Sequence, residues 1–341
     1  MAELTVAAGL ARGLIELAVS KGASAAELAI RSGIDPAVLQ DQDTRIPLPK
    51  YVALMRAGKE LSGDPALALH YGETNDLAQI SVVGLLGSAS ETMLDALGQM
   101  NRYGRLVIEF DGPPDRFQIE RRAEGLWSVD TRENPNDFYE LTESTFARMI
   151  CAPRAFGVTQ IAKAVHVTHK APAYRAEYER VFGVHVTFES DWNAMLIDQA
   201  WLMHRIQRQP RYVFGILSDH ADALMESLQQ SKSARGRVES LLMPILHKGE
   251  VGMDAIAEKL AVSRQTLFRK LKAENTTFEK VLDELRHRLA TDYLGGKKVS
   301  VNETAYLVGF SDPAAFSRAF RRWTGESPRA WAAHSRKADE R

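Results

Sequence analysis

The chain has 341 residues, long enough for two or more domains, and its 45% hydrophobic content is ample for packed cores. One cysteine, Cys151, excludes an intramolecular disulfide framework, and with no signal pattern and no bilayer-length apolar run the expectation is a soluble, cytoplasmic protein. The net charge of −1 conceals an asymmetry: residues 234–341 carry 20 Lys and Arg against 14 Asp and Glu, a net of +6 that leaves −7 for the remainder, so an anionic partner is expected at the C-terminal end.

The spacing of Leu10, Leu14, Ile15 and Leu17 predicts a helix over residues 4–19, and AAELAIRSGI after Gly22 predicts a second, shorter one. Too few basic residues accompany this pair for a DNA-binding motif. Pro47 and Pro49 close an irregular stretch before a helix through Tyr51, Met55 and Leu61, and another helix runs from Pro65 to about Glu73. VVGLLGSAS reads as a glycine-broken turn, followed by a long helix, TMLDALGQMNRYGRLV, capped by Ser90. Strand character follows at Leu106–Phe110, Arg116–Arg121 and Leu126–Thr131, with Asp111-Gly112-Pro113-Pro114 as a turn. A helix over Asp137–Cys151 precedes strands at Ala164–Thr168, Val184–Phe188 and Met195–Ile197, with a helix at Tyr174–Phe182 between the first two. This N-terminal part is α+β, helices packed on a partly antiparallel sheet.

Catalytic and metal-binding patterns such as GxSxG, HExxH, the P-loop and GxGxxG are missing, so neither catalytic residues nor a metal or cofactor is expected. His166 and His169 fall on opposite faces of a predicted strand. Cys151 reads as a small core residue, a reactive thiol being the alternative. Trp127, Arg132, Tyr139, Arg148 and Trp192 are the candidate ligand-binding residues, aromatic and cationic groups suited to a small metabolite, an anionic one included; core packing or ion pairing is the alternative for each. After QAWLMHRIQRQPR (199–211), a helix is predicted over Tyr212–Gln230. Its Val213, Leu217, His220, Leu224 and Leu228 form a narrow seam that could meet a second copy or lie on the preceding domain. Gln229–Gly236, QQSKSARG, is the linker candidate.

A helix over Arg237–Leu246 comes next. Asp254–Asn275, DAIAEKLAVSRQTLFRKLKAEN, then has the pattern of a helix-turn-helix: Asp254 as cap, Ile256, Ala257 and Leu260 inward, a turn at Ala261-Val262, Ser263 as the second cap, and Leu267 and Leu271 packed. Phe278–Tyr293 is a connecting helix with Val281, Leu282, Leu285 and Leu289 on one stripe. Asn302–Trp331 repeats the pattern, with Ala305, Tyr306 and Val308 on one side, Gly309 at the turn, Ser311 or Asp312 as cap and Pro313 in the first turn. Phe316, Phe320 and Trp323 form the second helix's apolar stripe, opposite Ser317, Arg318, Arg321 and Arg322. Ala257 aligns with Ala305 and Ser263 with Ser311 at a separation of 48, while Leu267 aligns with Phe316 and Leu271 with Phe320 at 49, an internal repeat with one residue inserted. Exposed guanidinium forks suit phosphate oxygens and guanine edges. The connecting helix, on the order of 25 Å long, would set two recognition helices about one duplex turn apart, ~34 Å.

Through IAEKLAVSRQTLFRKLKAEN, TTFEKVLDELRHRLATDYL and above all VGFSDPAAFSRAFRRWTGESPRAW, residues 235–333 resemble the AraC/XylS family of bacterial transcription regulators. ISVVGLLGSASETMLDALGQMNRYGRL and HKAPAYRAEYERVFGVHVTFESDWNAMLID are similar to the arabinose-binding-like effector domain of one subgroup, a label that identifies no sugar. The resemblance implies seven helices with two helix-turn-helices, binding to asymmetric promoter sites on double-stranded DNA, and activation through contact with RNA polymerase. Carried over by position, it implies DNA-binding roles for Ser263, Arg264, Gln265, Thr266, Arg269 and Lys270, and for Ser311, Asp312, Ala314, Ser317, Arg318, Arg321 and Arg322. Phe310, Phe316, Phe320 and Trp323 match the family's core, and Gly325 and Pro328 its helix end. Asn275 stands where glycine is common, and Asn can still adopt the left-handed backbone. Asp312 and Ala314 are weak base readers, so the first recognition helix would choose the sequence while the second fixes grip and register.

The expected organisation is an α+β sensor and dimerisation domain over residues 1–228, ending in a dimer helix at 212–230, then a linker at 229–236 and an all-α tandem helix-turn-helix domain at 237–335. The expected function is a ligand-responsive transcription factor acting as a homodimer on an unidentified small-molecule effector. The alternatives are a regulator whose N-terminal domain only dimerises, and an alkyl-transfer enzyme fused to the same DNA-binding end; the latter needs a cysteine-rich zinc site, which one cysteine argues against.

Overall fold

A computed structural model describes residues 3–157, 161–206, 211–248, 251–295 and 299–338, and the chain forms two compact units, residues 1–225 and 226–341. In the first unit, strand β1 (Thr5–Ala7) pairs antiparallel with β2 (Arg45–Pro47), with Val6 opposite Ile46. Helices α1 (Ala8–Ser20) and α2 (Ala25–Ser32) lie between these strands in sequence; α3 (Leu48–Ser62), α4 (Leu67–Thr74), α5 (Val82–Ala89) and α6 (Met93–Val107) follow. The predicted helix from residue 4 therefore starts four residues late. Thr5 and Val6 are β-branched, and their partner lies 40 residues away, beyond the reach of local periodicity.

The main sheet comprises β3 (Phe117–Arg122), β4 (Gly125–Asp130), β5 (Ala162–His166), β6 (Val186–Thr187) and β7 (Asn193–Ile197), in the order β3-β4-β7-β5-β6. Every pairing is antiparallel except β5 with β6. Helix α7 (Glu140–Cys151) precedes β5, α8 (Arg175–Phe182) precedes β6, and α9 (Gln199–Leu202) follows β7. Phe146 of α7, Val165, Tyr178 and Met195 are fully buried in the core that these elements share.

Four local expectations change. VVGLLGSAS is helix α5 rather than a turn: a Cβ on Gly84 would lie 2.2 Å from the Leu77 carbonyl carbon, so this glycine lets a helix pack against backbone. The cap of α6 is Thr92, in a reciprocal capping box with Asp95, while Ser90 donates its hydroxyl to the Leu86 carbonyl at the end of α5. Leu106 and Val107 complete α6, so no strand starts there. Strand β5 stops at His166, which leaves His169 in the following loop and not on an opposite strand face.

Helix α10 (Arg211–Lys232) contains the division between the units. The second unit continues with α11 (Ala234–Leu242), α12 (Met253–Lys259), α13 (Arg264–Ala273), α14 (Phe278–Gly295), α15 (Val301–Leu307), α16 (Pro313–Thr324) and α17 (Pro328–Ala338). The stretch expected to be a linker is helical apart from Ser233, whose hydroxyl accepts the Gly236 N–H and caps α11. Gln, Lys and Ala are good helix formers, and polarity alone does not make a linker. Residues 207–210 of the segment predicted to close the first domain lie outside the described residues. Among the described residues no helix is long and apolar enough to cross a membrane.

Candidate DNA interface and ligand cavity

The two helix-turn-helices end their first helices in the same way. In one, Val262 N–H reaches the Ala257 carbonyl at 3.0 Å and Ala261 N–H the Glu258 carbonyl at 2.9 Å; in the other, Phe310 N–H reaches Ala305 at 2.9 Å and Gly309 N–H reaches Tyr306 at 3.0 Å. Both are Schellman closures around a left-handed residue, Ala261 at φ 53° and Gly309 at φ 80°. These turns are 48 residues apart. The caps that follow are 49 apart, because Ser263 accepts the Thr266 N–H at 3.1 Å whereas Asp312, not Ser311, accepts the Ala314 and Ala315 N–H groups at 2.9 and 3.0 Å. The inserted residue of the repeat therefore lies between turn and cap. These two amides hold the Asp312 carboxyl below the usual carboxylate range.

Asp254 is not a cap. Gly252 holds that position, and Asp254 sits in the first turn, ion-paired with Arg264 at 2.7 Å. Ala305 and Val308 are buried as expected, but Tyr306 is 53% exposed. Asn275 does take the left-handed conformation, φ 55°, and closes α13. Arg286 of α14 was not legible as a structural residue: it donates to the Val308 and Gly309 carbonyls at 3.1 and 3.2 Å and lies over the Phe310 ring, fixing the second turn from outside.

Leu267, Leu271, Phe316 and Phe320 are buried, so α13 and α16 turn their other sides outward. Arg264, Gln265, Arg269 and Lys270 are exposed, as are Ser311, Asp312, Ala314, Arg318, Arg321 and Arg322. Ser263 and Thr266 share a contact of 2.9 Å, and Ser317 donates its hydroxyl to the Pro313 carbonyl, so these side chains are partly committed locally. Arg322 pairs with Asp283 at 2.6 Å, and Arg318 lies 4.0 Å from Asp312. Arg269, Lys270 and Arg321 have no ion-pair partner among the described residues. Phe268, 50% exposed beside Arg269, is a further surface residue that the two-leucine stripe of α13 did not single out.

In the first unit, the five candidate ligand residues separate. Arg132 is buried and shares Asp130 with Arg116, at 3.0 and 2.8 Å; burial and the neighbouring Arg116 bring its pKa down to about 10. It completes a structural ion cluster. Tyr139 accepts from Lys59 at 3.3 Å and packs on His169. Trp127 and Trp192 pack together with ring centres 4.8 Å apart, and Trp192 donates its indole N–H to His166 Nδ1. Cys151 is buried in the core and burial pushes its thiol pKa up, which disfavours the thiolate.

Of the five, Arg148 lines a cavity among the described residues. This space, about 360 Å³, lies among α5, α6, α7, α9 and the end of α4, and its wall includes Leu77, Val83, Met93, Leu97, Met100 and Met149. Arg148 and Trp201 both line this cavity; Arg148 Nε and Nη2 and the Trp201 indole nitrogen are buried without a hydrogen-bond partner among the described residues, and the guanidinium lies 5.5 Å from the centre of the Tyr71 ring. A larger surface groove, about 740 Å³, runs past Leu4, Leu48 and Val52, but its Arg31 is already paired with Glu60.

Residues 22–206 match the family described as the arabinose-binding domain of AraC transcription regulators, and residues 256–334 match a helix-turn-helix domain family. The chain belongs to the AraC family of transcription regulators. As expected for this AraC-type architecture, an α+β N-terminal part precedes a helical DNA-binding part. It is 27% identical over 330 residues to the ornithine utilization regulator of Pseudomonas aeruginosa, covering 93% of each chain. It is 25% identical to the regulator VirS of Mycobacterium tuberculosis, covering 94% of each. The Escherichia coli transcriptional activator RhaS is 38% identical over 111 residues, 31% of this chain and 38% of that one. Among solved structures, CdpR of Pseudomonas aeruginosa aligns at 22% identity over 79% of this chain and 87% of that one, with a TM-score of 0.36. The DNA-binding domain of AdpA in complex with a target DNA aligns at 26% identity over 31% and 96%, with a TM-score of 0.28.

Proposed function

We propose that this AraC-family regulator reads promoter DNA chiefly with α13, holds it with α16, and answers to a small molecule in its N-terminal unit. The observation that carries this reading is the matched pair of Schellman-closed helix-turn-helices, with Arg269 and Lys270 on the second helix of one and Arg321 on that of the other exposed and without an ion-pair partner among the described residues. Arg269 and Lys270, with Gln265 and the exposed Phe268 ring, supply both polar and apolar base contacts, the latter suited to a thymine methyl group. Arg264 can join them once it exchanges Asp254 for DNA. On α16, Arg321 is free for phosphate, whereas Arg322 must leave Asp283 and Ala314 offers a base edge little to bind. Activation through RNA polymerase and action as a homodimer complete the proposal.

Duplexes selected from a random library provide the test. Arg269→Ala should cost ~1–3 kcal/mol and relax the selected sequence, while Arg321→Ala should weaken all sequences alike and reduce the slope of log K against log salt by about one. An affinity for duplex DNA that does not respond to salt would sink this account.

A further inference from the structure

We infer that the cavity beside Arg148 is a binding site for an organic carboxylate with an apolar body, the guanidinium taking the carboxylate and the Met- and Leu-lined wall taking the rest. The inference rests on the sensor reading of the N-terminal unit and names the ligand class for it.

Three observations converge on this site. First, two of the Arg148 guanidinium nitrogens are buried with no hydrogen-bond partner among the described residues, and burying open N–H groups of a cation is costly unless an anion joins them. Arg132 and Arg116, by contrast, each have a carboxylate partner, sharing Asp130. The nearby Glu73 is paired with Arg180 at 2.7 Å, and the Asp76 carboxylate caps the Ala78 N–H, so neither is spent on Arg148. Second, the Trp201 indole offers another N–H donor at the same cavity. Two or three donors carrying one positive charge match a carboxylate. A phosphate, with up to two negative charges and three terminal oxygens, would leave charge uncompensated in an apolar chamber. Third, Met93, Met100, Met149, Leu97 and Ile206 give the cavity an apolar wall beside the polar stretch that holds Glu73 and Asp76, and about 360 Å³ corresponds to the liquid volume of roughly a dozen waters, room for about ten non-hydrogen atoms.

Gly87 lines the same space, and a Cβ built on it meets nothing within 4 Å. A larger side chain there would therefore enter the cavity without striking the fold. Arg148 and Gly87 thus provide two independent variants, one removing the charge and one removing the volume.

The test uses the full chain and two probes of one shape, octanoate and its neutral counterpart octanamide, followed by calorimetric titration and thermal melting. Octanoate should bind and raise Tm, with octanamide about ten-fold or more weaker, since the difference is one charge-assisted pairing. Arg148→Met should raise the Tm of the ligand-free protein, by deleting a half-buried cation with no carboxylate partner among the described residues, yet lose about ten-fold or more in octanoate affinity. A purely structural arginine would instead lower the ligand-free Tm. Gly87→Leu should abolish binding of both probes while the protein stays folded. Equal affinity for octanoate and octanamide, unchanged octanoate binding in Arg148→Met, or no octanoate binding at all overturns the carboxylate assignment. The sensor reading is separable: if octanoate fails to bind while Gly87→Leu still abolishes a promoter response in cells, that reading survives and only the ligand class falls. If octanoate binds through Arg148 without changing DNA affinity, the site stands and the sensor reading falls.

Discussion

Glu143 shows how one residue's surroundings set its chemistry. It lies buried on α7, accepts hydrogen bonds from the hydroxyls of Tyr174, at 2.8 Å, and Tyr178, and its pKa is pushed by burial from 4.5 to about 7, those hydrogen bonds opposing the shift. The folded protein thus holds this proton more tightly than the unfolded chain does. Its stabilising effect is fully present below the unfolded value and is lost as pH rises through about 7. Urea unfolding at about pH 5 and about pH 8 should differ by on the order of 2–3 kcal/mol from this group, with the lower pH more stable. Glu143→Gln should flatten that difference, and a slope unchanged by the substitution would place the titration elsewhere. No sequence pattern marks Glu143, because its environment is assembled from α7 and α8, about 30 residues apart. The same limit explains the arginines. Arg132 sits between Thr131 and Glu133 and Arg148 between Ala147 and Met149, and only the fold decides that one is held by Asp130 and the other lines a cavity.

At the scale of elements, caps and turns were legible wherever the signal is local. Ser263, Gly309 and the left-handed Asn275 hold the positions their side chains suit. Spacing left Ser311 and Asp312 open, and it is Asp312 that caps; it also pointed to Ser90 where Thr92 caps, in each case because a partner within three residues favours the residue found. The matched turns permit a paired prediction. Ala261 holds a left-handed backbone that costs a Cβ-bearing residue energy, so Ala261→Gly should stabilise by about 0.5–1 kcal/mol. Gly309→Ala should cost at least ~2 kcal/mol, combining the same backbone strain with a Cβ placed 2.4 Å from the Leu246 carbonyl oxygen. Thermal melts of the full chain would read both signs, and a gain in Tm from Gly309→Ala would show that the turn does not need its glycine.

For the whole molecule, the α+β then all-α order was readable from periodicity and charge, while the pairing of β1 with β2 and the continuity of helix through residue 232 were not. The first depends on a long-range contact, and the second on a polar segment that happens to favour helix. The dimer seam also changes. Its Leu217 and Leu224 are half-buried and Leu228 is buried, whereas Tyr212, Val213 and Ile216 on the first turns of α10 are 79%, 37% and 52% exposed. Further along, Asp222 is tied to Arg102 and the Tyr103 hydroxyl at 3.0 and 2.8 Å, and Ala221 is fully buried, which commits that side of the helix. At about 100° per residue the exposed trio occupies one stripe, rotated from the leucine seam, and it is this stripe that the proposed homodimer would cover. Ile216→Glu places a charge at its centre without disturbing a buried contact. Sedimentation should then report a monomer, operator affinity should fall because two tethered tandem motifs are reduced to one, and the melting of the monomer should be little changed. A variant that remains dimeric at the wild-type concentration would move the dimer surface to another part of the chain.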